Sequence, residues 1–353
     1  MASPRTQTIY SGHLDWTRSR MSKTRYLARQ QAVAMSLWYI VRSWHFLLNP
    51  NAPSLPGPAA RELLRRLREL LKRDLENVER GYYPLSLLNV PLISRMAHLL
   101  PAGVQEMGKV LLRRRRGGHH ELPTVANPDH YPDYYLQNFH WQTDGWLSRK
   151  SAQIYDLGVE FIFLGTADIM RRMVIPPVVD ALAQHHKPQI LDIACGTGRS
   201  LLQLHQTLPH AELTGLDLSP HYLKEAQEVL REVYPLSLVC GNAEKSKWAP
   251  KTFDAITCVF LFHELPRKAR RNVMKEAYRL LKPGGVFVVC DAGQAKDNES
   301  FEYFIDLFPR LYHEPYYRGY INDPLEAALE QSKFQLISAE NQLFSKVVVC
   351  RRA

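Results

Sequence analysis

The chain has 353 residues, 45% of them hydrophobic and 23% charged, with a formal net charge of +10. At roughly 100–200 residues per domain this length holds two structural units and at least one sizeable core, and the composition excludes a wholly disordered or collagen-like chain. The charge is uneven: residues 1–116 hold 20 of the 45 Lys+Arg against 7 of the 35 Asp+Glu, so one end is strongly basic and the rest nearly neutral. A basic end suits an anionic partner, either a membrane surface or nucleic acid, without choosing between them.

No uncharged apolar run approaches the 18 or so residues that a transmembrane helix needs. The best candidate, Gln30 to Val41, ends at Arg42, and no secretory signal is visible at the N-terminus. Cys195, Cys240, Cys258, Cys290 and Cys350 show no C-x-x-C spacing and fall in or beside strand-like runs. They read as reduced core thiols of a cytoplasmic protein.

In chain order, Arg25 to Leu48 predicts a helix closed by Asn49, Pro50 and Pro53. A second helix runs from about Ala59 to Arg80, with Leu64, Leu67, Leu71, Leu75 and Val78 at steps of three and four and Arg61, Arg65, Arg68 and Lys72 mostly off that stripe. Pro84, Pro91 and Pro101 follow as breaks, then Arg113 to Arg116 with Gly117-Gly118, and Pro123 to Pro132 reads as a linker. The expected division is therefore 1–130, a basic helical extension and linker, and 131–353, with 131–187 a helical, aromatic lid. Helical patterns run from Ser148 to Leu164 and from Ala167 to Gln184. Beyond Pro188, seven strand-like runs alternate with helical ones, which predicts an α/β, doubly wound, mainly parallel seven-stranded sheet. The last two runs are joined by a short turn near Asn341, so the final strand should be antiparallel to its neighbours.

The strongest local signal is Leu191-Asp192-Ile193-Ala194-Cys195-Gly196-Thr197-Gly198-Arg199-Ser200. A strand enters, glycines turn the chain and a helix leaves, so backbone N–H groups face whatever lies above the strand end. Position 201 is Leu, where a nicotinamide site normally has a further glycine, which disfavours a dehydrogenase. Asp217 follows Gly198 by 19 residues at the end of the second strand. It can accept both hydroxyls of a ribose, or it can cap the helix starting at Pro220, a role open to Ser219 as well.

These motifs, with Gly241-Asn242-Ala243-Glu244, Phe253-Asp254-Ala255-Ile256 and Leu281-Lys282-Pro283-Gly284-Gly285 in the same order, resemble a class I S-adenosylmethionine-dependent methyltransferase over residues 131–353. Within that class, Tyr155-Asp156 followed by Gly165 and Met170-Arg171-Arg172 is similar to the ubiquinone/menaquinone C-methyltransferase group. The resemblance implies that Asp192, Gly196 and Gly198 hold the methionine part of the cofactor, Asp217 its ribose, and Leu218, Asn242 and Ala243 its adenine. Asn242 stands where the family usually has Asp, and Ala194 replaces the first glycine of the fuller pattern, leaving the next two to make the turn.

Phe262-His263-Glu264-Leu265 follows the fourth strand and places His263 and Glu264 at the carboxyl end of the sheet, where ligands bind. Each is a candidate catalytic base or acceptor contact; the alternative is that Glu264 caps the next helix and His263 packs beneath the cofactor. Asp291 has the same two readings, and His140 and Tyr155 belong to the segment expected to fold over the cofactor as substrate contacts. The aromatic segments Tyr134 to Trp146 and Phe301 to Tyr320 are candidates for an apolar substrate wall. No His, Cys and carboxylate group appears at ligand spacing, so metal-independent chemistry is expected. The expected reaction is methyl transfer to O or C of a lipophilic small molecule, a quinone- or isoprenoid-type ring being the class the resemblance suggests. The leucine stripe and cationic rim of the extension put peripheral binding to an anionic membrane ahead of nucleic acid as its role. An RNA or protein methyltransferase and a non-catalytic cofactor-binding scaffold are the alternatives.

Overall fold

The computed structural model of the chain describes residues 22–48, 56–88, 96–124, 128–297 and 302–353. Asn49 to Pro53, Pro91 and Phe301, named above, lie outside the described residues. Seven strands form one sheet in the order β3-β2-β1-β4-β5-β7-β6: β1 (Gln189–Ile193), β2 (Glu212–Asp217), β3 (Leu236–Cys240), β4 (Phe253–Val259), β5 (Leu281–Ala292), β6 (Phe334–Asn341) and β7 (Ser345–Arg352). β1 to β5 pair in parallel, and β7 inserts antiparallel between β5 and β6, as the short final turn requires.

Alternate residues of the central strands feed two cores. Ile190, Ala255, Val286 and Val288 join one apolar cluster, and Leu191, Ile256, Phe287 and Val289 join the other. Both faces are covered, which is why these strands read as continuous apolar runs.

Helix α1 (Lys23–Leu48) and helix α2 (Gly57–Glu79) lie at the N-terminal end of the described chain. The stripe of α2 is turned inward: Leu63, Leu67, Leu70, Leu71, Leu75 and Val78 are buried in the same cluster as Met170 and Met173. Leu64, read as part of the stripe, faces out at 36% exposure. The apolar face proposed for lipid is therefore spent inside the chain, and each such leucine contributes about 1.5–3 kcal/mol there. The join is also polar. Asp74, on α2, is fully buried and accepts from Arg172 Nε at 2.6 Å, from the other arm of the same guanidinium, and from the Tyr26 and Tyr83 hydroxyls.

A helix not foreseen in the sequence, α3 (Leu100–Arg116), carries Pro101, read above as a break, in its first turn and stops at Gly117, whose φ is +68°. Proline has no N–H to lose in the first helical turn, so it starts a helix here and does not end one. Helix α4 (Arg149–Ile162) follows. The run Ala167 to Gln184 is two helices, α5 (Ala167–Arg172) and α6 (Ile175–Leu182), because Pro176 and Pro177 open a new first turn. Then come α7 (Arg199–Thr207), α8 (Pro220–Val229), α9 (Arg267–Leu280), α10 (Glu302–Leu311), α11 (Tyr317–Ile321) and α12 (Leu325–Gln331).

Candidate active site

β1 delivers the chain into the turn at 194–198, from which α7 leaves. Gly196 and Gly198 have φ of +53° and +79°, and Ala194 has +56°. The two glycines therefore do not make the turn alone; Ala194 also sits in the left-handed region, at a cost of about 1–2 kcal/mol for a residue with a Cβ. A Cβ on Gly198 would come within 2.6 Å of Leu230, whereas one on Gly196 would meet nothing within 4 Å. Gly198 is thus needed for packing, and Gly196 leaves open space above the strand. Beneath the turn, the Thr197 hydroxyl donates to Asp156 at 2.9 Å and Arg199 Nε donates to it at 2.7 Å. The Tyr155-Asp156 helix accordingly anchors the loop, through residues that sequence reasoning did not single out for it.

Asp217 joins β2 to that loop. One carboxylate oxygen accepts from the Gly196 N–H at 2.9 Å and the other from the Ser219 N–H at 2.8 Å. The helix-capping role falls to Ser219, whose hydroxyl accepts from the Tyr222 N–H at 3.4 Å and donates to the Trp146 carbonyl at 2.8 Å. Each Asp217 oxygen keeps lone-pair capacity for a further donor. Burial raises its pKa, against the lowering effect of the backbone N–H groups. Asp192 is buried at 1% exposure and accepts from the Thr257 hydroxyl at 2.7 Å; burial pushes its carboxyl up to about 7, with Thr257 opposing. Asn242 uses its side-chain oxygen to accept from the Glu244 N–H at 2.8 Å.

A cleft lies over the carboxyl ends of the strands. On the β2–β3 side it is lined by Ala194, Gly196, Asp217, Leu218, Asn242 and Ala243, and on the β4 side by Phe260, Leu261 and Glu264. Tyr155 lines it from α4, and Tyr134, Tyr135 and Trp146 from the aromatic segment. Gly198, Asp192, His263, His140 and Asp291 do not line it. Residues 302–320 do not line it either; their aromatic rings instead close over the histidines behind its β4 side.

Those histidines belong to a buried polar cluster. Asp291 accepts from the Leu261 and Phe262 N–H groups at 3.0 and 2.6 Å and lies 2.7 Å from His263 Nδ1, so the ring is held with Nε2 facing Glu264 at 3.8 Å. His140 Nε2 is 3.6 Å from Glu264, and His140 Nδ1 is 3.1 Å from Glu314. Burial lowers the His140 pKa to about 3, with His263 and His313 adding to the effect. Burial raises Glu314 to about 8, opposed by His263 and aided by Asp291, and raises Glu264 well above the usual carboxylate range, with Glu314 and Asp291 adding. For His263 the opposing influence of burial is overcome by Asp291, and its pKa rises.

His140 is presented by a strained loop in which it, Trp141 and Asp144 all have positive φ. Two buried residues of α3 clamp that loop: Arg113 donates to the Trp141 carbonyl at 2.6 Å, and Glu106 accepts from the Thr143 N–H at 2.7 Å. Arg113, the first of the four consecutive arginines 113–116, is thus a structural residue. Sequence reasoning also missed Glu314; its signal is a lone carboxylate in the aromatic run Phe308-Pro309-Arg310-Leu311-Tyr312-His313-Glu314-Pro315-Tyr316.

Residues 190–285 match the family described as methyltransferase domain. A demethylmenaquinone methyltransferase from Listeria welshimeri is 30% identical over 137 residues, 36% of this chain and 57% of that protein. A ubiquinone/menaquinone biosynthesis C-methyltransferase from Desulfotalea psychrophila is 34% identical over 164 residues, 44% of this chain and 64% of that protein. The chain thus spans less than two thirds of the length of these curated relatives. Among solved structures, an O-methyltransferase family 2 protein from Planctomyces limnophilus aligns with a TM-score of 0.47 and 16% identity, over 58% of this chain and 62% of that one. The glycine turn and the strand-end Asp217 both lie within the residues that match a methyltransferase domain, and over them the chain is similar to the ubiquinone/menaquinone C-methyltransferases.

Proposed function

We propose that the chain transfers a methyl group from S-adenosylmethionine to an O or C atom of a lipophilic small molecule of the quinone or isoprenoid type. The observation that carries this reading is the single cleft in which the nucleoside-facing residues and Glu264 share a wall with Tyr134, Tyr155 and Phe260. Residues and cofactor fit: the space above Gly196 is open, Asp217 has acceptor capacity for two ribose hydroxyls, and Leu218 offers an apolar surface for adenine. Bound there, the cofactor supplies an electrophilic methyl group on a sulfonium.

The chain's own contribution is position and dryness. Tyr134, Tyr135 and Trp146 cover the cleft and exclude water, and Tyr155 and Glu264 orient the acceptor for in-line approach, which is where much of the rate in such reactions arises. Where the methylated atom carries a proton, Glu264 is the carboxylate placed to meet it, with His263 Nε2 behind it and Asp291 holding that ring. Glu264, which lines the cleft, is the proposed catalytic residue, and His263 and Asp291 behind it are positioning residues.

The reading includes a peripheral membrane role for the extension, through a different surface from the α2 stripe. On α3, Leu100, Val104 and Leu112 are 41%, 59% and 53% exposed, and Arg115 and Arg116 are exposed nearby. Flotation on anionic and neutral vesicles checks this: salt-sensitive binding lost in Val104→Asp with Leu112→Asp is expected, and equal flotation of both proteins would refute it. The described cations of α2 are largely matched by acids of the chain, Arg65 by Glu62 and Glu69, Arg66 by Glu62 and Arg73 by Glu340, which weighs against a nucleic-acid surface there.

Incubation of the full chain with methyl-labelled S-adenosylmethionine and a cell extract tests the reaction. Label in an organic-soluble compound of low mass is expected; label in RNA or protein, or none in any fraction, would overturn the substrate class.

A further inference from the structure

We propose that His140, Glu264 and Glu314 form a binding site for one divalent transition-metal ion at the acceptor side of the cleft. One ring nitrogen of His140 and one carboxylate oxygen from each glutamate lie within 4.8 Å of one another. With metal–ligand bonds of about 2.0–2.2 Å, opposed ligands stand about 4.0–4.4 Å apart, so a small contraction closes the set around an ion. The ligands come from the loop after Asn138, the turn after β4 and the segment between α10 and α11, three places fixed independently by the fold.

The second observation is a missing partner. The Glu314 side chain is 0% exposed, and neither of its oxygens makes a hydrogen bond with any described residue; His140 Nδ1 is likewise buried and unpaired. These two groups approach to 3.1 Å without hydrogen-bond geometry. Buried polar atoms are almost always satisfied, and a carboxylate with both oxygens orphaned calls for an unseen ion or water. Two carboxylates beside an imidazole, with no Lys or Arg paired to either among the described residues and only His263 Nε2 at 3.8 Å from Glu264, supply the charge and the donor types that a divalent ion takes. Oxygen and imidazole donors without thiolate suit Mn²⁺, Fe²⁺ or Zn²⁺ more than a soft ion.

Glu264 also lines the cleft, so a three-ligand site has its open positions beside the acceptor. Resting on the methyl-transfer reading, this narrows the substrate to one with an oxygen donor next to the methylated atom, as in a hydroxylated ring. His263 and Asp291 then act behind the ligands, orienting Glu264 as outer partners orient metal ligands elsewhere.

The test is equilibrium binding of Mn²⁺ to the metal-stripped full chain, followed by electron paramagnetic resonance, with Zn²⁺ as competitor. One saturable Mn²⁺ per chain is expected, weakened about tenfold or more in Glu314→Gln and in His140→Gln. S-adenosylmethionine affinity measured on the same samples should stay within about threefold of the parent, because neither residue lines the cleft. Circular dichroism establishes that each variant folds, and either one suffices. No saturable binding, or binding that survives both substitutions, overturns the site. A chain that transfers methyl groups but binds no ion overturns the site and leaves the reaction standing; binding lost in the variants supports the site even where no methyl acceptor is found.

Discussion

The two sides of the cleft are built on different principles. On the β2–β3 side the residues belong to short strand–turn segments: Ala194 and Gly196 after β1, Asp217 and Leu218 at the end of β2, Asn242 and Ala243 after β3. Their positions follow from strand register and the turn, with Asp217 bonded directly to the glycine loop. On the β4 side, Glu264 lines the cleft and is backed by His140, Asp291 and Glu314, which come from distant stretches and gather behind it only in the finished fold. His140 reaches its place because α3 clamps its loop through Arg113 and Glu106. The contrast teaches that the proposed cofactor side is carried by local motifs, while the proposed acceptor side depends on tertiary packing that includes α3.

Breaking each side separately should give different signatures. The largest effect is expected on the acceptor side: Glu264→Gln should lower turnover by about 10²–10⁴-fold with cofactor affinity little changed, measured by saturation kinetics and calorimetry. Equal losses in both would make Glu264 a packing residue and erase the distinction. Next comes the support of the extension. Asp74→Asn removes one partner of a buried ion pair with Arg172 and should cost about 3–5 kcal/mol in denaturant unfolding. A loss under about 1 kcal/mol would mean that α2 is only loosely coupled to the sheet domain. On the cofactor side, Asp217→Ala should weaken S-adenosylmethionine binding by about 1.5–3 kcal/mol for each charge-assisted hydrogen bond lost, less where water competes. The substitution also frees the Gly196 N–H, so unchanged affinity in calorimetric titration would place the ribose elsewhere. The smallest effect sharpens the local half of the comparison. Ala194→Gly relieves a left-handed residue and should raise stability by up to about 1 kcal/mol, as thermal unfolding would register.

What was legible in the sequence follows the same division. Apolar runs alternating with amphipathic ones announced all seven strands and the antiparallel last one, because both faces of this sheet are covered and each strand is short and local. The glycine turn and Asp217 were legible because their geometry is set within a few residues. Helix α3 was not, since Pro101 was weighed as a breaker when its position at a helix start makes it an initiator. The α2 stripe was seen, but its destination was not: an amphipathic helix announces a face to be covered and says nothing of whether lipid or Met170 covers it. Glu314 and the His140 loop left only faint signals because their meeting rests on contacts between segments more than a hundred residues apart.

The most direct test of the central claim, one cleft with a cofactor side and an acceptor side, is a crystal structure of the full chain with S-adenosylhomocysteine. The account predicts ribose hydroxyls on Asp217, adenine beside Leu218 and Asn242, and the sulfur turned toward Tyr155 and Glu264. A nucleoside seated against Glu264 and Phe260, or a ligand bound outside this cleft, would contradict it.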